Sequence, residues 1–511
     1  MSNSDGQSET IAFLGDPATY GINTPVERIE THAAIVFLAG ARVYKLKRAV
    51  CLPYLDFSTV ALRHEVCLRE LALNRRTAPE IYLAVEPVGR QADGSLTIGE
   101  GDPVDWLVVM RRFPAECLFD AMAAKGLLGP ALVRDLADAI AAFHEGAEIV
   151  TGGGAARVRA VIEGNRTSMA ALPEGLLPAD ACEDLCRRSL AELNRLAALL
   201  DARAADGHVR HCHGDLHLAN ICLWHGHATP FDCLEFDAEL AATDVLYDLA
   251  FVLMDLWQRG LHGEASLLFN RYCDMRGESA GLAALPLFLS MRAAVRAHVS
   301  ASSAARQADP AGGERLRAAA CDYLDRALGF LERPKPQLLA VGGLSGTGKS
   351  TLAGALAPLV GGVLGARWLR TDVLRKRMAG IAPEERLPAS SYTRERSREV
   401  YARLMDEAAR VIAAGRSVIV DGVLAAPSER AALEDLAKAC GVDFTGIWLE
   451  APAEVMRARV NARSADASDA DGGVVDIQLG YALGALGGWM RIDAGGSPAD
   501  VLARAVDGLA G

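Results

Sequence analysis

The sequence has no C-x-x-C pair, no excess of basic charge and no long apolar run free of charged residues. Each absence removes a class of protein. Zinc ribbons and dithiol redox sites need closely spaced thiols, whereas the 11 cysteines here are scattered and read as reduced thiols of a cytoplasmic protein. A formal charge of −12 leaves no electrostatic footprint for non-specific binding to nucleic acid or a membrane surface. The greasiest stretch, around Val245 to Trp257, is interrupted by Asp248 and Asp255, which argues against a membrane span. The start, Met1 to Glu9, is polar and acidic and lacks the basic end and apolar run of a signal peptide.

What is present describes a soluble globular protein. Apolar residues make up 51% and charged residues 23% of 511 positions, too many for one core, so two or three domains are expected. The proline-broken segment Glu332-Arg-Pro-Lys-Pro-Gln337 marks a boundary at about residue 335, giving domains at 1–334 and 335–511.

The second domain opens with Leu338-Leu-Ala-Val341, a short strand leading into Gly343-Leu-Ser-Gly-Thr-Gly-Lys349-Ser350. A glycine-rich turn between a strand and a helix lets successive N–H groups converge on phosphate oxygens, with the helix N-terminus pointing at them. Gly343, Ser345, Gly346, Thr347, Gly348 and Thr351 are therefore read as nucleotide-binding residues, with Lys349 reaching the β and γ phosphates. The Ser350 hydroxyl is placed on magnesium, and Asp421, ending the apolar run Ser417-Val-Ile-Val420, is a second acid for that ion. ATP, or another nucleoside triphosphate, and Mg2+ are the implied cofactors.

In Leu369-Arg-Thr-Asp-Val-Leu-Arg375, Asp372 is expected at a strand end with Arg375 following it. This pattern resembles the gluconate, shikimate and polynucleotide kinase group. In that group the Asp contacts or deprotonates the acceptor hydroxyl and the Arg grips the substrate, so Asp372 and Arg375 are expected to be catalytic. Arg457, Arg459 and Arg463 fall on one expected helix, with Arg459 and Arg463 sharing a face. Together with the acidic, serine-rich stretch Ser464 to Gly473 they look like the mobile lid of such kinases, Arg459 and Arg463 stabilising charge on the transferring phosphoryl group.

In the first domain, residues 32–38 and 43–46 read as a hairpin turning at Ala39 to Arg42. A helix is expected over Thr59 to Arg76 and a strand over Asp105 to Met110. From Pro130 onward the pattern is mainly helical, so a small mixed lobe precedes a larger helical one, in kinase-like order. The strongest signal is His213-Gly-Asp215-Leu-His-Leu-Ala-Asn220, whose Asp-to-Asn spacing equals that of the protein-kinase catalytic loop. Phosphoryl transfer calls for a carboxylate near the acceptor hydroxyl and an amide oxygen on the metal, both carried by one loop. Asp232, in Phe231-Asp232, stands where a second metal-holding acid belongs.

The glycine after His213 sets the loop apart from protein kinases. It resembles the aminoglycoside phosphotransferase and choline kinase superfamily, in which Asp215 would be the catalytic base, Asn220 and Asp232 the metal ligands, and Asp248 the structural acid of the Tyr247-Asp248-Leu-Ala motif. Lys45, in Val43-Tyr-Lys45, matches the strand lysine that contacts the α and β phosphates. Its glutamate partner is Glu65 or Glu70, which flank the apolar stripe of their helix on opposite sides; family position favours Glu70. Met110-Arg-Arg-Phe113 looks like the hinge between lobes. No G-x-G-x-x-G precedes Lys45, a departure that this superfamily often shows. The histidines and cysteines crowded between His208 and Cys233 raise a zinc site as an alternative, although only His213 and His217 are paired at ligand spacing. Cys182 and Cys186 read as packed thiols.

The whole chain resembles a bacterial fusion family in which an aminoglycoside-phosphotransferase-like domain precedes a P-loop, AAA-type ATP-binding kinase domain. The resemblance implies a bilobal kinase-like α+β fold followed by an α/β P-loop fold with a parallel sheet. It implies a bifunctional transferase (kinase) acting on alcohol groups of small molecules. Two other readings stand beside it: a nucleotide-gated sensor with one silent centre, and a nucleic-acid 5′-hydroxyl kinase, against which the acidic charge counts. Membrane partners are not expected.

Overall fold

The computed structural model describes residues 7–31, 33–52, 55–462 and 467–510. By internal contacts the chain divides into two compact units, residues 1–154 with 201–255, and residues 155–200 with 256–511.

The first unit is built on a six-stranded antiparallel sheet. Its strands run in the order Glu27–Glu30, Ala34–Ala39, Arg42–Lys47, Asp102–Arg111, Tyr82–Arg90, Leu96–Ile98. The expected hairpin is there, turning through Gly40 at a φ of +58° that favours glycine. Alternation sends Ile35, Phe37, Tyr44 and Leu46 to one face, where Leu14 of the first helix packs on them. The opposite face, with Val43, Val108 and Met110, meets Cys67 of the helix Val60–Asn74. That helix begins where the Thr59 hydroxyl accepts the Leu62 N–H at 3.2 Å. Because Lys45 and Lys47 alternate in step with Val43, both ammonium groups fall on the helix side of the sheet.

In the second unit a five-stranded parallel sheet runs in the order Arg367–Arg370, Val418–Asp421, Gln337–Gly343, Asp443–Glu450, Met490–Asp493. Its core is aliphatic: Leu339, Val341, Ile419, Ile447 and Leu449 from the strands against Leu352 and Leu356 of the P-loop helix. Asp421 lies level with Val341 and with Arg370, so the carboxyl ends of three strands open onto one place.

Helices Gly154–Ala170, Ala179–Ala205 in part, His262–Arg276, Leu285–Arg306 and Pro310–Phe330 also belong to this unit. Among the described residues one stretch, Ala280–Arg306, is long and apolar enough to cross a membrane, and 72% of its most apolar window is buried inside the protein. Helix His262–Arg276 finishes the sheet's border. The Asn270 amide takes the Trp368 N–H at 2.7 Å and donates to the Ala366 carbonyl at 3.2 Å, as a neighbouring strand would. One turn on, Asp274 binds the buried Arg367 at 2.6 Å and Arg370 at 2.8 Å.

Candidate functional sites

The loop carrying Asp215 is held rigidly from below. Asp248, fully buried, accepts the Gly214 N–H at 2.8 Å and the His213 N–H at 3.1 Å, and its Oδ2 meets His144 Nε2 at 3.1 Å. Asp255 takes the Leu218 N–H at 3.0 Å. Gly214 has φ +82°, and a Cβ there would stand 2.8 Å from Leu234 Cβ. The sequence therefore needs glycine at this point for shape as well as conformation. His213 faces the Phe231 carbonyl through Nε2 at 2.9 Å and the Asp215 N–H through Nδ1 at 3.3 Å. Both ring nitrogens are thus spent on these contacts rather than offered to zinc. His217 Nε2 lies 3.4 Å from Asp215 Oδ2.

Above this brace, Asn220 donates through Nδ2 to Asp215 Oδ2 at 2.9 Å and to the Asp215 carbonyl at 3.0 Å. With the amide nitrogen so engaged, the Asn220 Oδ1 is the atom left to accept a cation. Asp232 adopts φ +62°, and its N–H is held by the Tyr82 hydroxyl at 3.2 Å. Its carboxylate reaches Lys45 Nζ at 2.6 Å.

Lys45 also binds Glu70 at 2.8 Å. Helix packing decides between the two glutamates left open by the sequence: Glu70 is fully buried beneath the sheet while Glu65 is exposed. Glu70 has a second cation that the sequence reading missed, Lys47, whose Nζ lies 2.5 Å from Oε2 and which also pairs with Glu235. Burial alone would raise the Glu70 carboxyl, but the two ammonium groups hold it down at about 2. Burial likewise opposes the Lys45 charge, and Asp232, Glu70 and Glu235 outweigh it, keeping that lysine well above its usual range. The available signal was the i, i+2 spacing of two lysines on one strand face.

The P-loop site is complete within its own unit. Three of its glycines are required by the fold: Gly343 has φ +145° and faces the Leu449 carbonyl, Gly346 backs onto the Met456 carbonyl, and Gly348 has φ +92°. The N–H groups of Gly346 and Gly348 have no partner among the described residues, as a phosphate cradle requires. Ser345 donates its N–H to Gln478 Oε1 at 2.7 Å, a contact not anticipated. Thr347 Oγ1 closes the turn onto the Leu344 carbonyl at 2.8 Å, and Lys349 Nζ lies 3.0 Å from the same oxygen. Thr351 is exposed on the following helix.

The Ser350 hydroxyl bonds the Asp421 carboxylate, which is buried and leaves Oδ2 without a hydrogen-bond partner. Burial raises the Asp421 carboxyl, against the pull of Lys349 and Ser350. A buried oxygen with spare lone pairs beside a serine hydroxyl is a donor set that fits a hard cation.

These groups line a cavity of about 1260 Å3. Asp372 and Arg375 line it as well, though Asp372 sits in the first turn of the helix Thr371–Met378 rather than at a strand end. Burial raises its carboxyl despite Lys349, Ser468 and Arg375 nearby. Arg375 is oriented by the Ser391 carbonyl at 2.9 Å and Ser397 Oγ at 3.3 Å, over the Tyr392 ring. Of the expected lid arginines, Arg459 bonds the Ala494 and Gly496 carbonyls at 2.8 and 3.1 Å, and a Cβ on Gly348 would lie 3.9 Å from its guanidinium. Arg457 pairs with Asp476. Arg463 lies outside the described residues. In the stretch expected to be a lid, Asp469 reaches across to Lys376 at 3.1 Å and to the Tyr392 hydroxyl at 2.6 Å.

Comparison with known proteins agrees with this geometry. Residues 61–284 match the Phosphotransferase enzyme family profile and residues 338–482 match the AAA domain profile. An uncharacterized protein of Mycobacterium tuberculosis (strain ATCC 25618 / H37Rv) is 30% identical over 449 residues, spanning 86% of this chain and 87% of that protein. Among solved structures, a choline/ethanolamine kinase family protein from Mesorhizobium loti is similar at 18% identity and a TM-score of 0.40, covering 64% of this chain and 96% of that one. A gluconokinase from Sinorhizobium meliloti 1021 is similar at 21% identity and a TM-score of 0.26, covering 35% and 94%. The chain belongs to the family of the mycobacterial protein and carries a kinase-like phosphotransferase domain followed by a P-loop kinase domain.

Proposed function

We propose that the chain is an ATP- and Mg2+-dependent phosphotransferase with two centres, one in residues 1–334 and one in residues 335–511, each acting on an alcohol group of a small molecule. The observation that carries the reading is the orphaned Asp421 oxygen beside Ser350, in one cavity with Lys349 and Asp372. There a P-loop, a cation-binding acid and a proton-accepting acid meet.

In the second centre, Gly343 to Ser350 cradle the triphosphate, Lys349 leaves the Leu344 carbonyl to reach phosphate, and Ser350 with Asp421 holds magnesium. The acceptor hydroxyl oxygen attacks the γ-phosphorus, the bridging oxygen departs with ADP, and the proton passes to Asp372. A carboxyl raised by burial is a better base for that proton than an exposed one. Arg375 grips the acceptor, and Arg459 stabilises the transferring charge. In the first centre Asp215 is the base, Asn220 and Asp232 are the metal ligands, and Glu70 holds Lys45 for the α and β phosphates. Magnesium, when bound, supplies charge neutralisation across the phosphates.

The acidic net charge favours small acceptors over nucleic acid, and eleven free cysteines suit a reducing, cytoplasmic setting. The test is ATP turnover, with mass spectrometry of a small-molecule cell fraction for compounds gaining phosphate, using Lys349→Ala and Asp215→Ala separately. Each variant should abolish one set of products, and chelation of magnesium should abolish both. If neither substitution changes transfer or hydrolysis, the two-centre reading fails.

A further inference from the structure

Beside the P-loop stands a short helix, Gly472–Leu479, and its glutamine is the side chain that reaches the loop backbone. Asp471 caps the helix by accepting the Val474 N–H at 3.0 Å. Val475, fully buried, packs with Met456 and Val460, and Leu344 of the P-loop lies against the same cluster. Gln478 follows one turn on, along the same face, and is buried, whereas Ile477 and Leu479 are exposed. The helix is therefore seated on the P-loop by one apolar contact and one polar one. The polar contact is the Ser345 N–H donating to Gln478 Oε1 at 2.7 Å.

That hydrogen bond fixes which way the amide points. A backbone N–H can only donate, so the side-chain atom facing it is the oxygen, and the donor Nε2 is left over. Nε2 has no partner among the described residues, and it is not sealed from the cavity that Gln478 lines. A buried amide with idle N–H groups is costly unless water or a ligand accepts from them. Gln478 does not compete for the phosphate cradle, because the N–H groups of Gly346 and Gly348 stay free beside it. The cavity wall on which it stands also carries Lys349, Asp421 and Asp372. A donor there faces the phosphate nearest the acceptor, while the helix N-terminus at Lys349 takes the phosphate before it.

We propose that Gln478 reads the terminal phosphate: Oε1 stays on the Ser345 N–H while Nε2 donates to a γ-phosphate oxygen, so this centre favours a nucleoside triphosphate over the diphosphate. The proposal deepens the kinase reading of the P-loop centre and rests on it. A neutral amide suits the task, since it gives a phosphate oxygen a charge-assisted hydrogen bond without adding a cation that would hold the product equally well. Once the phosphoryl group has moved to the acceptor, the contact with the nucleotide is gone, and the diphosphate leaves more readily.

The test is calorimetry on the full chain with the magnesium complexes of ADP and of β,γ-imido-ATP, the heat of this centre being the part that Lys349→Ala removes. Wild type should bind the imidotriphosphate more tightly than ADP. Gln478→Glu keeps an oxygen for the Ser345 N–H and loses the donor. It should weaken the imidotriphosphate at least about tenfold while ADP stays within about threefold. Gln478→Leu loses both contacts and should lose the same preference. A brace with no phosphate contact gives another pattern, in which Gln478→Glu binds as wild type does and Gln478→Leu weakens both nucleotides alike. That pattern, or equal losses for the two nucleotides in Gln478→Glu, overturns the proposal. Unchanged binding of both nucleotides in Lys349→Ala overturns the underlying P-loop reading instead.

Discussion

Replacing Glu70 by glutamine isolates the charge at the heart of the first centre. The carboxylate is wholly buried and pairs with Lys45 at 2.8 Å and Lys47 at 2.5 Å. Its carboxyl sits at about 2 in the folded protein against 4.5 for an ordinary glutamate, although burial pushes the other way. At about 1.4 kcal/mol per pH unit, that gap corresponds to about 3 kcal/mol of folding stability at neutral pH. A folded value below the unfolded one means the contribution is complete above about pH 4.5 and drains away as pH falls towards 2. Near pH 3 roughly half of it remains.

Glutamine keeps the shape and one acceptor oxygen but leaves two buried ammonium groups with less counter-charge. Urea denaturation of wild type and Glu70→Gln can be followed by pulsed amide hydrogen exchange of the helix Val60–Asn74, which carries Glu70 and so reports this unit. The expected loss is about 3 kcal/mol at pH 7, shrinking towards pH 3. A loss under about 1 kcal/mol at pH 7, or one that does not shrink with acid, would refute the reasoning.

Two further substitutions probe the supports of the sites. Gly214→Ala, which forces a positive φ and a 2.8 Å contact with Leu234, should cost about 2–4 kcal/mol by denaturation. Gly126→Ala, with φ +66° and open space around it, should show only the backbone share of about 1–2 kcal/mol; equal costs would count against the packing argument. Asp274→Ala strands the buried Arg367 and should cost about 3–5 kcal/mol in urea denaturation, whereas Asp274→Leu/Arg367→Met should recover most of it. Failure of the double variant to recover would show that the pair does more than neutralise itself.

Local motifs carried most of what could be read in advance. The P-loop and the loop from His213 to Asn220 are written in consecutive residues, because their work is done by one turn of backbone each. Alternation was enough for the hairpin that carries Lys45. Choosing between Glu65 and Glu70 required the helix to be packed, since both flank its apolar stripe and only the sheet above it selects one. Gln478 was illegible for a different reason: a lone glutamine on a short helix reads as a solvated residue, and only its contact with Ser345, 133 residues away, sets it apart. The brace from Asn270 to Arg367 joins positions 97 residues apart and leaves no local trace.

That brace bears on how the chain can be divided. The strand Arg367–Arg370 is the last of its sheet on that side, and an open strand border is an invitation for another chain to pair with it. Here a single asparagine amide occupies the hydrogen-bonding groups, and an aspartate beside it discourages an incoming strand from docking. A fragment starting at residue 335 would carry the whole P-loop motif yet lose this stopper. Residues 262–276 are therefore part of the second module's protection against self-association, although they precede its motif and lie wholly within the segment that matches the first family.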